Sequence, residues 1–126
     1  MKDIIQKVLT KHKDRILFAY LFGSHVQGTA SKFSDIDIAV FLKAYLGEFF
    51  FDIKIDLYMN LCRALKRNDI DLVIMNKCSN IILLNRIITH GFVVYDQNKS
   101  ERLNYEQKIL HSAIDFKQQR QMAMGV

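Results

Sequence analysis

The chain has no proline, only two cysteines and five glycines among its 126 residues. Turns must therefore come from glycine and from Asn and Asp, whose side chains hydrogen-bond locally and tolerate left-handed backbone. Cys62 falls inside a predicted helix and Cys78 just after a predicted strand, and no Cys-x-x-Cys or Cys/His ligand spacing occurs. That excludes an ordinary zinc site and leaves two packing thiols. No run of about eighteen apolar residues is present, so no membrane-spanning helix is expected. Residues 1–13 scatter their charges instead of placing a basic head before an apolar core, so they do not read as a secretory signal, and a cytoplasmic location is expected. The four histidines, His12, His25, His90 and His111, include no pair at helical ligand spacing. Each reads as structural; His25, directly after Ser24, reads as an exposed loop residue, and so does Lys32.

Half of the residues are apolar and a quarter are charged, the composition of a globular protein whose length suits one modest core. A single domain over residues 1–126 is expected. The net charge of +5 lies at the two ends of the chain, on lysines that fit the solvated faces of amphipathic helices. Aromatic and basic residues do not interleave, so no direct nucleic-acid binding is expected. Ile4, Ile5, Val8, Leu9 and His12 recur at helical spacing over residues 2–13. Phe50, Ile53, Leu57, Leu61 and Leu65 line a second helix ending near Lys66; alternation over residues 52–58 also fits a strand, but the length favours helix. Asn80 is placed to cap a helix through His90, with Ile81, Leu84, Ile87 and Ile88 inward and Gly91 stopping it. Phe92–Tyr95 reads as a short strand. From Ser100, taken as the cap, a last helix carries Leu103, Gln107, Leu110, Ile114 and Lys117 on one stripe, with Tyr105, Ile109 and Phe116 beside it. Residues 122–126 are left unassigned.

The chemistry concentrates between Gly23 and Leu42. Arg15–Phe22, RILFAYLF, is an apolar run cut off by Gly23-Ser24, which reads as a buried strand entering a tight turn. A backbone that can approach closely and turn its amides outward suits a phosphate or another anion. Beyond it, Ser34-Asp35-Ile36-Asp37-Ile38 alternates acid and aliphatic, so Asp35 and Asp37 leave one face of a strand while Ile36 and Ile38 enter the other. Carboxylates held that close repel, and a divalent cation such as Mg²⁺ or Mn²⁺ relieves the repulsion. A second acidic strand, Asn68–Met75, carries Asp71 on the same face as Val73. If it lies beside the first, Asp71 completes a three-carboxylate cluster of the kind used in two-metal phosphoryl transfer.

Gly23-Ser24, ten residues, Asp35-Ile36-Asp37 and then Asp71 on a later strand resemble the minimal nucleotidyltransferase (MNT) domain of the polymerase-β-like superfamily. The likeness runs from the first strand to the strand near Val93. It departs at Gln27, before Gly28-Thr29-Ala30, where many members carry Arg. The resemblance implies an α/β nucleotidyltransferase fold, a small mixed sheet with helices packed against it. It implies Gly23 and Ser24 on the triphosphate, and Asp35, Asp37 and Asp71 as catalytic residues and ligands for one or two Mg²⁺, with ATP as substrate. At this length the chain is similar to the antitoxin half of HEPN/MNT toxin–antitoxin pairs. That implies a hetero-oligomer with a helical ribonuclease toxin and AMP transfer to a toxin tyrosine; the wide apolar surface of helix 100–121 suits either a partner interface or core packing. A binding-only antitoxin and a small-molecule nucleotidyltransferase are the alternatives.

Overall fold

The computed structural model describes residues 1–28 and 35–123. Along the chain lie α1 (Lys2–Lys11), β1 (Ile16–Phe22), a single-turn α2 (Ser24–Gln27), β2 (Ile36–Leu42), α3 (Phe50–Leu65), β3 (Ile70–Ile74), α4 (Ile81–His90), β4 (Phe92–Asp96) and α5 (Lys99–Ala123). Short 3-10 turns span Ala44–Phe49 and Met75–Lys77. The four strands make one mixed sheet in the order β3-β2-β1-β4: β1 is antiparallel to both β2 and β4, while β2 and β3 are parallel and joined through α3. The expectations on Lys32 and Ser34 lie outside the described residues.

Strand position explains strand sequence. The central β1 and β2 are buried on both faces and read as nearly unbroken apolar runs, whereas the edge strands β3 and β4 alternate. One face packs Ile36, Ile38, Val40, Ile70 and Leu72 against Ile5 and Leu9 of α1 and Ile53, Leu57 and Leu61 of α3. The other packs Phe18, Tyr20, Phe22 and Ala39 against Leu84 and Ile87 of α4 and Ile109 of α5. Helices therefore cover both faces of the sheet, the one that carries the acids included. The reason is β1 itself, whose Phe18, Tyr20 and Phe22 leave on the acids' side and cannot stay in water.

The α3 segment is helix, so length outweighed the alternation over residues 52–58. Asn80 caps α4 as expected, its side chain accepting from the Leu83 N–H. The α5 cap is Asn98 instead of Ser100: Asn98 Oδ1 accepts from the Glu101 N–H, three residues on. Tyr105 anchors α5, its ring packed at a tilt against Phe18 and Phe41 at ring-centre distances of 5.6 and 4.8 Å. Arg102 ties the same helix to Asp96 of β4 and to Glu106, and the Tyr20 hydroxyl donates to Glu106. Leu103, Leu110 and Ile114 are 48%, 44% and 55% exposed, so that stripe is not core. His12 is buried between α1 and α3 against Asn60, and burial lowers its pKa, as its structural reading requires.

Asn76 closes the end of β2. Its Nδ2 donates to the Leu42 carbonyl and its Oδ1 accepts from the Leu42 N–H, replacing the ladder partners that β3 no longer supplies. Asn76→Ala leaves both groups unpaired and is expected to destabilise the fold by about 1–3 kcal/mol, read as a lower urea midpoint at unchanged slope.

Candidate functional site

Parallel pairing sets Asp37 of β2 directly opposite Asp71 of β3, flanked by Ile36 opposite Ile70 and Ile38 opposite Leu72. Neighbouring strands run roughly 4.8 Å apart, and opposed residues share a face, so the two carboxylates leave the sheet side by side. Asp35 sits one residue before β2 and is exposed. On the other flank of β2, Phe22 pairs with Asp37, and the chain leaves β1 through Gly23. Gly23 holds φ at +80°, and a Cβ there would overlap Asp37 Oδ2. Both the backbone angle and the close approach therefore demand glycine. Ser24 follows as the first residue of α2. The turn and the two facing acids, expected from separate stretches of sequence, are thus brought together.

The electrostatics follow from this placement. Burial raises the pKa of Asp37, and the charges of Asp71 and Asp35 raise it further, while His25 pulls it down. His25, expected as an exposed loop residue, is half-buried on α2 with its charge acting on both Asp37 and Asp69. Arg67 grips Asp69 with two N–H donors and holds that carboxyl below the usual range. Arg67 also feels the charge of Asp35, so the rim of the acid cluster carries a cation.

Two cavities flank the acid pair. One, about 220 Å³, is lined by Phe22, Gly23 and Asp37 and by Leu83, Arg86 and His90 of α4. The other, about 520 Å³, opens at the Asp71 side along β3. Arg86 and His90 bring cationic and titratable groups opposite the glycine turn, and neither was singled out from sequence as a site residue. The spacing of Leu83, Arg86 and His90 puts them on one helix face beside the apolar stripe, but does not say what that face meets.

The donor set is chemically suited to a hard divalent cation: carboxylate oxygens, one of them held partly out of water beside two like charges. As the side chains stand, no three His, Cys, Asp or Glu groups among the described residues are gathered closely enough to hold an ion. Carboxylates turn readily about χ1, whereas the ladder that sets Asp37 opposite Asp71 is fixed, so strand register is the better guide to what the site can assemble.

Two outcomes follow. Gly23→Ala is expected to displace the Asp37 carboxyl and lower stability, checked by urea unfolding against Gly28→Ala, where an added Cβ meets nothing within 4 Å although φ is similarly positive. An acid whose folded pKa is raised costs stability when ionised; the cost is present above the raised pKa and fades as pH falls toward 3.8. Asp37→Asn is therefore expected to be more stable than the wild type at neutral pH, with the difference shrinking in acid.

Comparison with known proteins agrees with this geometry. Residues 3–100 match the family model described as polymerase beta, nucleotidyltransferase. The chain is 32% identical over 99 residues to the protein adenylyltransferase MntA of Shewanella oneidensis, a match covering 79% of this chain and 68% of that protein. Among solved structures, it superposes on a chain of a toxin–antitoxin complex crystallised with AMP-PNP with a TM-score of 0.77 at 26% identity, covering 98% of this chain and 95% of the other. A variant of the toxin–antitoxin pair MntA–HpeT with a tyrosine replaced by alanine gives a TM-score of 0.75 at 26% identity, covering 99% and 95%. The resemblance drawn from the Gly-Ser turn and the spaced aspartates is borne out along nearly the whole fold, and the chain belongs to the polymerase β nucleotidyltransferase family.

Proposed function

We propose that the chain is an antitoxin nucleotidyltransferase that transfers AMP from ATP to a hydroxyl, a tyrosine, of a cytoplasmic HEPN-type ribonuclease toxin. The observation that carries this reading is Asp37 set opposite Asp71 in strand register beside the Gly23 turn. The adenylyltransferase name of the Shewanella oneidensis relative and the AMP-PNP of a similar toxin–antitoxin structure support adenine nucleotide chemistry and a toxin partner.

Each group has a role that follows from its place. Main-chain N–H groups at Gly23 and Ser24, where β1 gives way to α2, and the Ser24 hydroxyl receive the β- and γ-phosphates. Arg86 and His90 face them across the smaller cavity and add positive charge. Asp35, Asp37 and Asp71 would hold one or two Mg²⁺, which would neutralise triphosphate oxygens and make the acceptor hydroxyl more acidic. The acceptor oxygen attacks the α-phosphorus, the bond from that phosphorus to the β-bridging oxygen breaks, and pyrophosphate departs with the electron pair. The hydroxyl proton passes to the Asp71 carboxylate, which is exposed and stands at the larger cavity. Partner binding falls to a separate surface: Leu103, Leu110 and Ile114 on α5 are exposed apolar side chains remote from the acids in sequence.

The test is incubation with the toxin, ATP and Mg²⁺, followed by intact mass. The toxin is expected to gain mass in multiples of AMP. Asp71→Ala is expected to slow the gain at least about 100-fold, roughly 2.7 kcal/mol in barrier, with toxin binding retained. A toxin that gains no mass yet is neutralised equally by both proteins assigns the chain a masking role instead.

A further inference from the structure

The larger cavity raises the question of what enters from the Asp71 side. It is formed by the outer edge of β3, with Asp71 at one end and Phe51, Lys54 and Lys77 along its walls. Phe51 is 71% exposed. Lys54 and Lys77 form no ion pair among the described residues, and Lys77 lies 5.6 Å from the centre of the Phe50 ring, across the groove.

Among the described residues, β3 ends the sheet and pairs only with β2. The Ile36 N–H donates to the Asp69 carbonyl. Main-chain direction alternates by residue in a parallel ladder, so Asp69, Asp71 and Val73 face β2, and the N–H and C=O groups of Ile70, Leu72 and Ile74 point outward. A strand edge with free donors and acceptors is a template for another extended chain. Here the edge comes with an aromatic wall, two cations and a carboxylate at its end.

We propose that the protein segment carrying the acceptor hydroxyl docks in extended form along the outer edge of β3, with an acidic residue of that segment meeting Lys54 and Lys77. The inference rests on the transfer reaction proposed above and names how its acceptor is held. Strand pairing supplies contact that ignores side-chain identity, and the two lysines select for acidic neighbours. The hydroxyl is presented to Asp71, while the glycine turn with Arg86 and His90 lies on the other flank of the acid pair. Acceptor and leaving group then approach from opposite sides, as an in-line displacement requires.

Two synthetic peptides test this, identical except that a central tyrosine is flanked by glutamates in one and by lysines in the other. Amide exchange of the full chain, saturated with AMP-PNP and Mg²⁺, reads docking without catalysis; mass gain with ATP reads transfer. The glutamate peptide is expected to slow exchange at the Leu72 and Ile74 amides and to show a KM at least tenfold below that of the lysine peptide. Lys54→Glu combined with Lys77→Glu is expected to invert the preference while AMP-PNP affinity stays unchanged. Exchange at those amides untouched by either peptide, or a preference that survives the charge reversal, overturns the proposal. So does protection that grows with protein concentration in the absence of peptide, which assigns the edge to a second copy of the chain. Docking of the glutamate peptide without mass gain supports the edge site and instead counts against the transfer reaction.

Discussion

Parallel pairing between β2 and β3 forces two like charges, Asp37 and Asp71, into adjacent positions on one face of the sheet, and the rest of the fold holds them there. At roughly 5 Å their repulsion is on the order of 1 kcal/mol in water and a few times larger in a partly shielded site. Against it stand Ile36, Ile38, Ile70 and Leu72, all buried on the opposite face, each contributing about 1.5–3 kcal/mol. A slip of one residue would move the aliphatics into water and the acids into the core, so register is decided by burial, not by the charges. Hydrogen bonds secure both ends of the pairing: Ile36 to Asp69 at the start, and Asn76 to Leu42 where the ladder ends.

That arrangement gives the site its asymmetry. On the β1 side, Gly23 removes the one side chain that would collide with Asp37, and α4 turns Arg86 and His90 toward the gap. On the other side, β3 is the last strand among the described residues, and Asp71 borders an open groove. In the proposed reaction, polyanion chemistry and acceptor chemistry are thereby separated across a single strand pair. α5, held to the sheet by Tyr105, Ile109 and Arg102, carries its exposed apolar residues elsewhere on the chain, so the partner binding proposed for them need not disturb the acids.

Much of this was legible because the decisive signals are local. Alternation at Asp35–Ile38 and Asp69–Leu72 reads directly as two half-polar strand beginnings, and Gly-Ser after an apolar run reads as a turn. That the two acids meet required only that the strands be neighbours, which a helix of α3's length between parallel strands favours. What stayed hidden depends on packing between elements. Arg86 and His90 lie on α4, and nothing in a helix's own periodicity says that one flank of it borders the glycine turn. His25 was misread for the same reason, since exposure in a loop and half-burial on a single helical turn look alike in sequence. Helices on both faces of the sheet were legible in principle: aromatic residues at Phe18, Tyr20 and Phe22 cannot be left to water. On α5, apolar residues are spread around the helix, and periodicity alone could not tell Tyr105 and Ile109, which face the sheet, from Leu103, Leu110 and Ile114, which do not.

In the proposed reaction Asp37 and Asp71 act together through a divalent cation on a bound triphosphate. This is tested most directly by calorimetric titration of AMP-PNP into the purified chain, with and without Mg²⁺, beside Asp37→Asn. Mg²⁺ is expected to tighten AMP-PNP binding to the wild type at least tenfold, about 1.4 kcal/mol, and this gain is expected to vanish in a variant that remains fully folded. Equal affinities with and without Mg²⁺, or a gain that survives the substitution, would contradict it.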